Sequence, residues 1–113
     1  MTQDQNLPWP LKEGDTSPAF KGTLKDGAGV VVDVTGSTVV FSMVNEAGGE
    51  PVIDEAAATI LDGQGGVVAY AWQAGDTDRP GIYLAEFKVT FADLTVATFP
   101  NDGYRRIKIG DDI

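Results

Sequence analysis

The sequence predicts an all-β fold, an antiparallel β-sandwich of about seven to nine strands with an extended N-terminal arm. Three observations carry that expectation. Gly (14 residues) and Pro (6) punctuate the 113-residue chain at short intervals. Between them lie short runs rich in Val, Thr, Ile, Phe and Tyr, residue types that fit a pleated surface. Within several runs apolar and polar side chains alternate. One face is then buried and the other wet, as in antiparallel sheets packed face to face rather than parallel sheets covered by helices.

Taken in order, residues 1–13 form the arm and residues 14–113 the sandwich. After Met1, residues 2–6 are all polar. In Leu7-Pro8-Trp9-Pro10-Leu11 two prolines impose an extended path and argue against regular sheet pairing. Leu7, Trp9 and Leu11 still need apolar surroundings. Either the arm packs on its own sandwich, or it docks on a neighbouring subunit with Trp9 as the anchor. The partner-binding candidates are therefore Leu7, Trp9 and Leu11.

Strands are expected at 19–24, 30–34, 38–44, 56–61, 66–72, 81–91, 95–99 and 104–109. Lys25-Asp26-Gly27 and Leu61-Asp62-Gly63 supply Asp-Gly turns that tolerate positive φ. In 38–44, Val39, Phe41 and Met43 oppose Val40, Ser42 and Val44. Asn45-Glu46-Ala47-Gly48-Gly49 reverses the chain. Asp54-Glu55-Ala56-Ala57-Ala58 has helical propensity, but Thr59-Ile60-Leu61 and the turn after it favour a strand. In 66–72, Val68, Tyr70 and Trp72 share a face.

The loop 75–80 turns through Pro80-Gly81 into the longest strand, where Tyr83, Ala85, Phe87, Val89 and Phe91 oppose Leu84, Glu86, Lys88 and Thr90. Gly81-x-Tyr83 at its start fits a tyrosine corner, in which a buried phenol bonds back to the preceding backbone. Ala92-Asp93 makes a tight hairpin, and Pro100 ends the strand after it. In the last strand Arg105, Ile107 and Ile109 oppose Arg106 and Lys108.

With 17 acidic and 8 basic residues the net charge is -9, which disfavours a nucleic-acid partner, because duplex binding needs clustered Lys and Arg. Arg105-Arg106 and Lys108 form the one small basic cluster. No apolar run approaches the ~20 residues that span a bilayer, so no membrane association is expected.

Chemistry is sparsely provided for. The chain has no His and no Cys, which removes the usual general base, thiolate nucleophiles, disulfides and the commonest metal ligands. Gly63-Gln64-Gly65-Gly66 leads into a strand, not a helix, so it is no phosphate loop. Asp76 with Asp78, or Asp54 with Glu55, could pair as acid and base, but neighbouring carboxylates on turns are usually solvated. Gly75-Asp76-Thr77-Asp78 offers oxygens to calcium without EF-hand spacing; the plainer expectation is that Asp76 or Thr77 bonds the loop backbone. Trp72, Tyr70 and Phe87 could form a shelf for sugar, but alternate strand positions more often build core. No catalytic, metal or cofactor-binding residue and no cofactor is expected.

The order of several segments carries a resemblance. Gly14-Asp15-Thr16-Ser17-Pro18 is followed by Gly66-Val67-Val68-Ala69-Tyr70-Ala71-Trp72 and Gly75-Asp76-Thr77. Then come Pro80-Gly81-Ile82-Tyr83-Leu84-Ala85-Glu86-Phe87 and Thr98-Phe99-Pro100-Asn101-Asp102-Gly103-Tyr104. From about Gly14 to Ile109 the chain resembles the N-terminal domain of the tailed-phage baseplate upper protein family and the small stand-alone tail proteins that share it. The resemblance implies an immunoglobulin-like sandwich and a non-enzymatic structural role in the virion, as a homo-oligomer among tail or baseplate proteins, made in the host cytoplasm. Longer family members carry receptor-binding modules after this domain. With Ile113 close behind the last strand, a small adaptor, collar or decoration subunit is expected, and a head decoration protein is a further alternative. A carbohydrate- or cell-surface-binding module on the same sandwich is the rival, and exposure of Trp9, Trp72 and Tyr104 discriminates the two.

Overall fold

A computed structural model describes residues 8–101 and 103–112. These hold no helix and nine strands: β1 (Trp9–Lys12), β2 (Phe20–Thr23), β3 (Thr38–Asn45), β4 (Ile53–Ala57), β5 (Thr59–Asp62), β6 (Val67–Tyr70), β7 (Gly81–Thr90), β8 (Val96–Phe99) and β9 (Arg105–Gly110). A six-stranded sheet runs β1-β9-β7-β3-β4 with β8 also paired to β7, and a three-stranded sheet runs β2-β6-β5. One side of β7 pairs with β3 along most of its length. The other side pairs first with β9 and then with β8. This is the strand order of an immunoglobulin-like sandwich. β2, β6 and β5 stand where strands B, E and D do, and β9, β7, β3 and β4 where G, F, C and C′ do.

Alternation places the core as the sequence predicts. Val39, Phe41 and Met43 of β3 and Tyr83, Ala85, Phe87 and Val89 of β7 are all buried. Phe20, Val68, Tyr70 and Trp72 come from the other sheet and its margin. Phe41 stacks on Tyr70 with ring centroids 4.6 Å apart, and Phe20 stacks on Phe87 at 5.8 Å. Each such side chain contributes about 1.5–3 kcal/mol through the apolar surface that it removes from water.

Four expectations need correction. First, the prolines do not prevent pairing. Trp9–Lys12 is a strand that runs parallel to β9, with Trp9 opposite Ile107 and Leu11 opposite Ile109. In a parallel ladder alternate residues turn their backbone groups to the partner. Glu13 N–H donates to Gly110 O, which puts residues 9, 11 and 13 in that phase. Pro8 and Pro10 fall in the other phase, where the missing N–H would face solvent.

Second, 30–34 is not a strand. It contributes one isolated bridge, Lys25 to Val31. Asp26 takes the turn over, its carboxylate accepting from Ala28 and Val30 N–H. Val34 is still buried, but as a loop residue whose N–H donates to Gly63 O.

Third, 56–61 is not one strand. The chain leaves the large sheet after Ala57 and enters the small one at Thr59. A bulge precedes the switch: Phe41 faces Ala56 and Met43 faces Ile53, so Asp54 and Glu55 together oppose Ser42. Glu55 sits at φ 51° there, and its N–H donates to Ser42 Oγ. Fourth, positive φ in the two Asp-Gly turns falls at Gly29 and Gly66, not at Gly27 and Gly63.

The β7–β8 hairpin closes as expected around Ala92-Asp93. Phe91 N–H donates to Thr95 O, and Leu94 N–H donates to Phe91 O. Leu94 occupies the left-handed position of this turn, at φ 71°, where glycine is the usual residue. A side chain there costs about 1–2 kcal/mol.

Candidate functional site

The residues that the sequence marked out meet where the β1–β2 connection crosses the β6–β7 connection. Two Gly-Asp-Thr triplets, at 14–16 and 75–77, lie side by side. Gly14 N–H donates to Thr77 O. The Thr77 hydroxyl, 1% exposed, donates to Asp15 O at 2.8 Å. Nearby, Trp72 Nε1–H donates to Pro18 O. A buried hydroxyl without a partner would be costly, so these bonds fix the two connections against each other.

Asp76 organises the second triplet. One carboxylate oxygen accepts from the Tyr70 hydroxyl at 2.6 Å and from Gln73 N–H at 2.8 Å. Burial, reinforced by the Asp76 bond, pushes the Tyr70 phenol well above its ordinary value. The fold therefore favours the protonated phenol. That contribution is complete below the unfolded value near 10 and is lost as pH rises from there toward the folded value. Tyr70→Phe is expected to cost about 1.5–3 kcal/mol at neutral pH, the range for a bond to a charged acceptor. Urea titrations at pH 7 and above pH 10 check both points: the alkaline loss of stability should be smaller in the variant than in the parent.

Tyr83 closes the tyrosine corner. Its hydroxyl donates to Arg79 O, four residues upstream, at 2.8 Å. The calcium candidate resolves into loop structure, with Asp76 on Gln73 N–H, Thr77 on Asp15 O, and Asp78 exposed. No group of three or more metal-ligating side chains occurs among the described residues. Asp76 faces a phenol rather than a second carboxylate, and Glu55 faces Lys88 Nζ at 2.8 Å. The Asp76 bonds hold the loop, and the Glu55 ion pair ties β4 to β7 across β3. Tyr70, Trp72 and Phe87 are core, as the alternation suggested, so they present no shelf to a sugar. Tyr104 is exposed.

The sequence marked Thr77 as bonding the backbone of its own loop but missed its partner, Asp15 O in the β1–β2 connection, although the repeated Gly-Asp-Thr was a signal for it. The pleat divides the basic cluster as the alternation predicts. Arg105 lies on the inner side, its guanidinium 5.5 Å from the Phe20 ring centroid, while Arg106 turns outward to Glu46 at 3.4 Å.

Of the three docking candidates, Leu7 lies outside the described residues. Leu11 is buried in its own core. Trp9 is half-buried, edge-on to Phe20 at 5.1 Å and 6.3 Å from Trp72. The open edge of β1 is also blocked. Pro8 and Pro10 carry no N–H, and Lys12 N–H is taken by the Asp15 carboxylate, whose own N–H returns to Lys12 O. With no free donor, this edge cannot take a further strand in a regular ladder. Trp9→Ala is expected to cost about 1–3 kcal/mol, less than a fully buried Trp. A melting temperature and an oligomeric state both unchanged would mean that Trp9 anchors nothing.

No known protein family, curated protein or solved structure matches the chain.

Proposed function

We propose that this chain is a non-enzymatic structural subunit of a tailed-phage virion, placed in the tail or baseplate and present in several copies, where it joins neighbouring subunits. One observation carries the reading. The segments that resemble the baseplate upper protein family bond to one another. The 14–18 segment meets Thr77 and Trp72, Asp76 holds Tyr70, and Tyr83 closes on Arg79. Residues that share a motif because they brace a scaffold suit a part that transmits position, and leave function to surfaces. The acidic composition suits a subunit that stays soluble until it is assembled.

Quantitative mass spectrometry of purified particles tests the reading. A fixed ratio to the major tail protein that survives high-salt washing is expected. A ratio equal to that of the major capsid protein would move the subunit to the head surface, and absence from particles would overturn the virion role.

A further inference from the structure

Two surface features lack a purpose in the fold, and each is the complement of the other. The first is Leu94. It is 80% exposed, the most exposed of the large apolar side chains in the described chain, and it stands in a left-handed conformation that disfavours any side chain. A glycine would suit the turn better, so the exposed leucine is not there for the turn. Beside it, Asp93 accepts from both the N–H and the hydroxyl of Thr95, which holds its carboxyl below the ordinary value and keeps it charged.

The second feature is a pocket of about 130 Å³ at the open margin between the sheets. Phe20, Phe87, Phe99 and Pro100 line it, and Lys25 and Arg105 stand at its rim. Gly22 leaves the space: a Cβ there would lie 3.3 Å from the Phe87 ring. Neither cation makes an ion pair among the described residues. Apolar cavities of about 150 Å³ accept a group as large as benzene, so one leucine side chain is within range.

We propose that Leu94 of one copy enters the pocket of a second copy, with Asp93 facing Lys25 and Arg105. The occupant is the same chain. Its hairpin tip offers the apolar knob and the adjacent negative charge that an apolar pocket with a basic rim selects. β8 runs extended between knob and pocket and holds them roughly 15 Å apart within one copy, so the tip cannot fill its own pocket. The contact is therefore between copies: repeated head to tail it builds rings or filaments according to the rotation at each step, and made reciprocally it closes a two-fold dimer. The inference rests on the multi-copy reading above and names the surfaces that it would use.

Sedimentation velocity of the purified full chain tests it. The weight-average mass should rise with concentration and fall as salt screens the rim. Leu94→Gly should abolish the association while raising the melting temperature, because it removes the knob and the strained side chain together. Lys25→Glu with Arg105→Glu should also give a monomer. Mixed, the two variants keep one good knob and one good pocket between them, and should form a one-to-one pair that grows no further. The proposal is overturned if Leu94→Gly associates like the parent, if the mixture does not pair, or if the parent is monomeric at every concentration. A monomeric parent would still leave a virion subunit that docks on other proteins. An associating chain absent from particles would sink the virion reading alone.

Discussion

Phe41→Ala is expected to remove most of the stability of this protein. Phe41 is fully buried at the centre of β3, and its ring meets Tyr70 at 4.6 Å, Phe87 at 5.1 Å, Phe20 at 5.6 Å and Trp72 at 5.9 Å. It is thus the point where the two sheets share one aromatic cluster. Truncation loses the transfer free energy of the ring and leaves a cavity walled by four aromatics, which are too large and too constrained to collapse into it. Such changes cost about 3–5 kcal/mol, against a typical total of about 5–15 kcal/mol. A guanidinium titration should show a much lower midpoint at an unchanged slope. Phe41→Leu, which keeps most of the volume, should cost less than about 2 kcal/mol. Equal losses for both would mean that the cluster tolerates a void and that packing at Phe41 does not set the stability.

Phe41 and its cross-strand partner Phe87 were legible in the sequence because strand periodicity is local. β3 and β7 alternate over many residues, and a one-residue slip would turn every buried side chain to water. The tyrosine corner was legible for the same reason, since donor and acceptor lie four residues apart. What stayed hidden depends on distant chain. Alternation through 56–61 shows which side chains point inward but not which sheet receives them, so the switch at Ala58 left no mark. The valines of 30–34 satisfy strand propensity, yet Asp26 and Asp33 bond nearby N–H groups and hold the backbone in turns. At β1 the signal was present and pointed the other way. Prolines two residues apart are what an edge strand tolerates when every second N–H faces solvent. The candidate site behaved alike: Asp76 and Tyr83 were readable from their own loops, whereas the Thr77–Asp15 bond joins residues 62 apart.

Gly66→Ala is expected to have the largest effect of any single added methyl group at a turn. Gly66 stands at φ 66°, and an added Cβ would lie 2.6 Å from Val32 O and 3.0 Å from Leu24 O. Both obstacles are backbone atoms, so no rotamer relieves the clash. Left-handed strain alone costs about 1–2 kcal/mol, and displacing the packed backbone brings the expected loss to about 3 kcal/mol or more. Gly36→Ala separates the two terms. Gly36 has a similar φ of 75° with nothing within 4 Å of its added Cβ, so it should lose only the strain. The excess at Gly66 then measures the close approach of the β5–β6 turn to the β2–β3 loop. That approach matters beyond stability, because Leu24 N–H bonds Gly66 O and Leu24 is followed directly by Lys25 on the rim of the pocket. Moving the loop moves the cation. If the Leu94 contact forms as proposed, Gly66→Ala should weaken association even at temperatures where the variant is fully folded, and Gly36→Ala should not.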